Sequence, residues 1–133
     1  MSDPRQGHPV LADLFRQNTW ANLATIDACA AADAASIPAL AGTGGDFATL
    51  REHAARIGDA LVAWADEHAT ATEVEGIWED GPYRVPASMF AAQAIFHGTI
   101  HRWQIGEALE RFGADAPDTD AWSWWESTGA TNR

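Results

Sequence analysis

The stretch Gln93-Ala94-Ile95-Phe96-His97-Gly98-Thr99-Ile100-His101-Arg102-Trp103-Gln104 places two histidines four residues apart inside a long apolar run. On a helix, that spacing stacks both imidazoles on one face, one turn apart. Two imidazoles converging from one helix are the usual start of a metal site in a helical bundle. Gln93 falls a further turn upstream on the same face. The competing reading makes His97 and His101 core histidines, hydrogen-bonded to polar residues such as Asn18, Asn22 or Gln93. A third ligand would have to come from elsewhere. His53 flanks the apolar stripe of its own helix. His68 stands at a helix end, where the dipole accounts for an imidazole. His8 precedes the first helix.

Asn18 and Asn22 lie one turn apart in an otherwise apolar helix. They read as buried amides that need partners, either orienting the histidine pair or forming a structural network. Arg102 is expected to pair with an acid such as Glu107 or one on a neighbouring helix, or to bind an anionic substrate. Trp122, Trp124 and Trp125 pack the last segment onto the bundle or line a pocket edge. Other chemistry finds little support. Gly42-Thr43-Gly44-Gly45 follows a helix and lacks the lysine of a phosphate loop. Ser88 has no local partners of nucleophile type, and there is no CxxC motif. Cys29, the 1 cysteine, sits in an alanine-rich helical run and reads as a small buried hydrophobe.

Three long helices position these residues. The first runs from about Pro9 to Ala35, with Leu11, Leu14, Phe15, Trp20, Leu23 and Ile26 among many alanines. Pro38 and the glycines to Gly45 form a linker. The second helix starts at the N-cap Asp46 and ends near His68, with a stripe of Phe47, Leu50, Ala54, Ile57, Leu61 and Trp64. A short β-hairpin follows: Glu73–Trp78, a turn at Glu79-Asp80-Gly81-Pro82, and Tyr83–Val85. The third helix, from about Pro86 to Phe112, is apolar on nearly every side and is expected at the centre. Gly113 ends it, and Asp118 or Thr119 caps a short last helix.

The 133 residues make one domain, 1–133, with 47% hydrophobic content and 7 Trp. Lysine is absent and the net charge is -11, which opposes nucleic acid and anionic membrane surfaces as partners. One cysteine, no apolar signal-type leader and no membrane-length run make a cytoplasmic location the expectation.

The chain resembles the DinB-like family of helical bundles. Leu14-Phe15-Arg16-Gln17-Asn18-Thr19-Trp20-Ala21-Asn22 is similar to the family's first helix with its N-x-W-A-N pattern, and Gln93–Gln104 to the Q-x-x-x-H-x-x-x-H-R-x-Q of the last core helix. Gly113–Trp122 and the Gly81–Pro86 end of the hairpin also fit. The resemblance implies an all-α fold, a DinB-like bundle often found as a dimer, with a divalent metal held by three histidines. Two of those ligands carry over onto His97 and His101.

The family's second helix, whose T-L-x-H motif supplies the remaining ligand, has no clear counterpart. Thr49-Leu50-Arg51-Glu52-His53 is similar but off by one, in surroundings that fit the family's third helix. The expected fold is therefore three long helices with a hairpin insertion and a short C-terminal helix. Three helices leave an apolar groove open, which a homodimer would cover. Two functions follow from the resemblance. One is a metal-dependent hydrolase or thiol transferase acting on a small molecule or thiol, with Zn or Ni on His97 and His101. The other is a non-catalytic homodimeric bundle, a binding or stress-response protein with a degenerate site.

Overall fold

The computed structural model describes residues 9–32, 46–68 and 72–129. Its elements, in order, are α1 (Pro9–Ala31), α2 (Phe47–Glu67), the hairpin strands β1 (Glu73–Trp78) and β2 (Gly81–Pro86), α3 (Ala87–Ala92), a π turn (Gln93–His97), α4 (Gly98–Arg111) and α5 (Ala121–Ser127). The architecture is all-α with one small two-stranded antiparallel sheet. No helix among these residues is long and apolar enough to cross a membrane. The expected linker 36–45, the end of the first helix at Ala35, and His8 lie outside the described residues.

The helix ends follow local chemistry. Asp46 caps α2 by accepting a hydrogen bond from the Thr49 backbone N–H at 3.1 Å. At the other end the His68 N–H returns to the Trp64 carbonyl at 2.9 Å, and its ring stacks on Trp64. Gly113, at φ +80, ends α4 in a Schellman motif: Gly113 N–H donates to Glu110 O at 3.0 Å and Ala114 N–H to Leu109 O at 2.9 Å. The cap of α5 is Asp120, not the expected Asp118 or Thr119. Its carboxylate accepts from Ser123 N–H at 2.7 Å, while Asp118 accepts from the N–H of Asp120 itself at 3.3 Å. The hairpin pairs Glu73 with Pro86 through Trp78 with Gly81, so Glu79-Asp80 form a two-residue turn and Gly81 takes φ +123.

The helices pack around α1, correcting the expectation that the third helix is central. α1 lies along α2 and also along α4. One core cluster joins Ala12, Phe15 and Ala65, with Ala91, Ala94 and Ile95 against it; the other joins Cys29, Phe47, Ala108 and Leu109. Each cluster takes one end of α1, so α3 and α4 run parallel to α1 and α2 antiparallel. Small residues make the closest seams. Gly58 is buried in α2 against Thr19, and a Cβ at Gly58 would overlap the Thr19 side chain. Leu50, Ile57 and Leu14, expected on the inner stripes, are instead 41%, 45% and 45% exposed. These three flank the seam at its closest approach, while Phe15 and Phe47 fill the wider ends.

Burial pushes the Cys29 thiol up from its ordinary value, which makes it an inert core residue rather than a nucleophile.

Two outcomes test this packing. Gly58→Ala gains about 1 kcal/mol in helix propensity but forces a methyl into Thr19 at about 1–3 kcal/mol; net destabilisation in urea unfolding is expected, and a more stable variant would contradict the seam. The Ser123 backbone hydrogen bond lowers the Asp120 pKa. The cap therefore contributes its stability above the ordinary carboxylate range and loses it as pH falls through the lowered pKa. Tryptophan fluorescence of α5 should follow that loss, and Asp120→Asn should remove the pH dependence.

Candidate functional site

His97 closes the π turn and His101 lies one turn into α4. Their Nε2 atoms stand 2.9 Å apart, with the rings edge to face at a centroid separation of 4.4 Å. Both side chains are exposed. In this arrangement one Nε2 donates a proton to the lone pair of the other. The stacking expected from the four-residue spacing is therefore present, and the nitrogens converge rather than diverge. Two ligands 2.0–2.1 Å from one ion at 90–110° stand roughly 2.9–3.4 Å apart. The pair fits two adjacent positions of a divalent metal once both Nε2 atoms are deprotonated. A π turn inserts an extra residue into the helical ladder and is frequent at functional positions. Here it spans Gln93 to His97, the segment leading into the pair.

The other candidates lie elsewhere. His53 Nδ1 is 2.9 Å from Arg56 Nη2 on the outer face of α2. His68 Nδ1 is 3.1 Å from the Trp64 carbonyl at the end of that helix. Among the described residues no group of three or more His, Cys, Asp or Glu converges.

Behind the histidines lies a buried guanidinium. Arg102 is 8% exposed. Its Nη1 donates to Asn18 Oδ1 and to Asn22 Oδ1, both at 2.7 Å, and its Nη2 donates to Thr99 Oγ1 at 3.0 Å. Thr99 in turn donates to the Ile95 carbonyl at 2.8 Å. This corrects one expectation and decides between two others. Arg102 takes amide oxygens rather than Glu107, and Asn18 and Asn22 serve Arg102 rather than the imidazoles. The amides form the structural network, with the arginine as its donor. Arg102 Nε is buried without a partner among the described residues, and desolvation lowers the pKa of the group.

Gly98, between the two histidines, leaves room for this clamp. A Cβ there would come 3.2 Å from Arg102 Nη1 and 3.4 Å from Asn18 Oδ1. Sequence reasoning missed Gly98 and Thr99. The available signal was the Asn18/Asn22 pair, since two inward amides one turn apart call for a donor with two N–H groups on one nitrogen.

Two concavities adjoin the histidine helix. A cleft of about 420 Å³ lies over Arg102, Trp103, Gln17 and the Pro117–Ala121 segment, which Gln17 Nε2 holds by donating to Thr119 O at 2.8 Å. An apolar groove of about 550 Å³ opens between the hairpin and α3, lined by Trp78, Tyr83, Val85, Met89, Phe90 and Gln93. Trp122 and Trp125 stay 68% and 49% exposed, so the last helix is only partly packed down. Comparison with protein-family models, characterised proteins and solved structures finds no match to this chain.

A double-mutant cycle tests the clamp. Arg102→Ala should destabilise the fold by about 3 kcal/mol. With Asn18→Ala the combined loss should fall short of the sum by about 1–3 kcal/mol. Additive losses would mean that the two side chains do not depend on one another.

Proposed function

We propose that the chain is a DinB-like, metal-binding protein acting on a small molecule, with His97 and His101 as ligands through Nε2. The observation that carries this is the 2.9 Å convergence of two exposed imidazole nitrogens on a helix anchored from behind by Arg102. The motif resemblance over α1 and the Gln93–Gln104 stretch supplies the family, and with it the reaction classes: hydrolysis or thiol transfer.

His97 and His101 would hold a Zn²⁺- or Ni²⁺-type ion, which would supply Lewis acidity for hydrolysis or thiol transfer. The chain's own part is positional. Arg102, Asn18 and Asn22 hold the helix that carries both imidazoles. The apolar groove, with Gln93 at its edge and His97 four residues further along the same helix, offers a small molecule a dry wall.

A second reading rests on the apolar surface left open. Phe96, Ile100 and Trp103 face solvent on the histidine helix. That surface favours a homodimer and suits a non-catalytic binding bundle as well as an enzyme.

The test uses untagged protein dialysed against Zn²⁺ or Ni²⁺ and then analysed for metal. Retained metal that is lost in His97→Ala and in His101→Ala is expected. Thermal stability without metal should change by no more than about 0.5 kcal/mol, because both side chains are exposed. Absence of retained metal in the parent protein would sink the metal reading and leave the non-catalytic bundle.

A further inference from the structure

We propose that the groove between the hairpin and α3 binds an organic ammonium ion, a small molecule with a cationic head and an apolar body. This rests on the small-molecule reading above and names the chemical class of that molecule. It does not depend on a metal being bound.

Strand alternation sorts the side chains of the hairpin. Gly76 and Trp78 share one face of β1, and their cross-strand partners Tyr83 and Gly81 lie on the same face of β2. With α3, that face encloses about 550 Å³, the size of a small-molecule site. Gly76 shapes the space. Tyr83 lies across it so closely that a Cβ at Gly76 would overlap the phenol ring and its hydroxyl. Laid down in this way, the Tyr83 ring meets Trp78 at a centroid separation of 6.3 Å, with 77° between the planes. Two rings near a right angle make an aromatic corner. Met89 and Phe90 continue the apolar wall from the helix. Trp78 is 67% exposed, so the corner is open to a ligand.

The charge around this corner has one sign. Asp80 is the only charged side chain lining the groove among the described residues. The hairpin carries Glu73, Glu75, Glu79 and Asp80 against one basic residue, Arg84. Arg84 belongs to the opposite face, next to Tyr83 in the alternation, and pairs there with Glu73 at 3.6 Å and with Glu75. No basic side chain is left to answer Asp80 within the hairpin. An anion would be repelled at this mouth, and a neutral apolar molecule would gain nothing from the carboxylate. An ammonium head uses both features. The ring quadrupoles attract it, the carboxylate fixes it, and the apolar wall takes the rest of the molecule.

The test titrates phenethylammonium into the full chain kept metal-free with a chelator. Phenethyl alcohol serves as the neutral counterpart and hydrocinnamate as the anion. Binding is followed by NMR at the indole N–H signal that disappears in Trp78→Leu. The cation should bind at least about tenfold more tightly than the alcohol, with the anion weakest. Asp80→Asn should weaken cation binding about tenfold and leave the alcohol unchanged; asparagine suits a two-residue turn, so the hairpin is retained. Trp78→Leu should weaken the cation more than the alcohol, because leucine keeps an apolar wall without the π face. Asp59→Asn, which removes the same charge from an exposed position on α2, should change neither. Equal affinity for cation and alcohol would overturn the proposal. So would cation binding that survives both Asp80→Asn and Trp78→Leu, or no cation binding at all. Metal retention is measured separately. Protein that binds the cation but retains no metal would overturn the metal reading and leave this one, and the reverse result would do the opposite.

Discussion

Arg102 keeps its charge inside the protein, and the placement of the histidine helix depends on how that charge is answered. Removing a guanidinium from water is costly unless its N–H groups find acceptors. Asn18 and Asn22, one turn apart on α1, supply two oxygens to a single nitrogen, and Thr99 supplies a third to its neighbour. None of these acceptors carries a charge, so stability rests on geometry rather than on Coulomb attraction. A small slide or rotation of α4 against α1 would break short hydrogen bonds in a region of low dielectric, where each matters more than in water. The clamp thus fixes register as well as proximity. With Arg102 turned inward, His101 beside it and His97 one turn earlier are held towards the outside.

The same fixation accounts for the open face. Among the described elements only α1 has helices along both sides, and it accordingly contributes Ala12, Phe15, Asn18, Ala21, Thr25 and Cys29 to the interior. The third helix spends its inner side on Arg102, Ala108 and Leu109. Its remaining apolar side chains have nowhere to go among the described elements. Hydrophobic burial is the main favourable term in folding, so leaving Phe96, Ile100 and Trp103 in water forgoes several kcal/mol that a neighbouring surface could recover.

Much of this was legible in the sequence, and what escaped has specific physical reasons. Caps and turns were readable at Asp46 and Gly113 because their signals are local. The hairpin was readable because the period of the pattern changes. The last cap was misplaced because Asp118, Thr119 and Asp120 are all competent caps, and the choice among them depends on where the chain leaves the Pro117 turn. On the inner stripes of α1 and α2, Phe15 and Phe47 are buried as expected, while Leu14, Leu50 and Ile57 were misjudged because hydrophobicity weights large residues. Close-packed helices bury small ones, as Gly58 against Thr19 shows. An all-round apolar helix was expected at the centre, but that pattern reports apolar residues on every side, not which sides the fold buries. The histidine pair was legible from spacing alone, whereas the convergence of its nitrogens required coordinates.

The boundary between the clamped and open sides of this helix is where the imidazoles sit. A ligand pair on a fully buried face would pay desolvation without access for a substrate. A pair on a freely exposed face would lack both order and a low dielectric. Held from behind by Gly98 and Arg102 and bordered in front by apolar side chains, His97 and His101 are ordered before anything covers them. Covering the apolar border would remove water from their surroundings and strengthen every electrostatic interaction there. Order supplied from the core and dryness supplied from outside are separable contributions. In this chain the first is built by Asn18, Asn22, Thr99 and Arg102, and the second is left to whatever meets Phe96, Ile100 and Trp103.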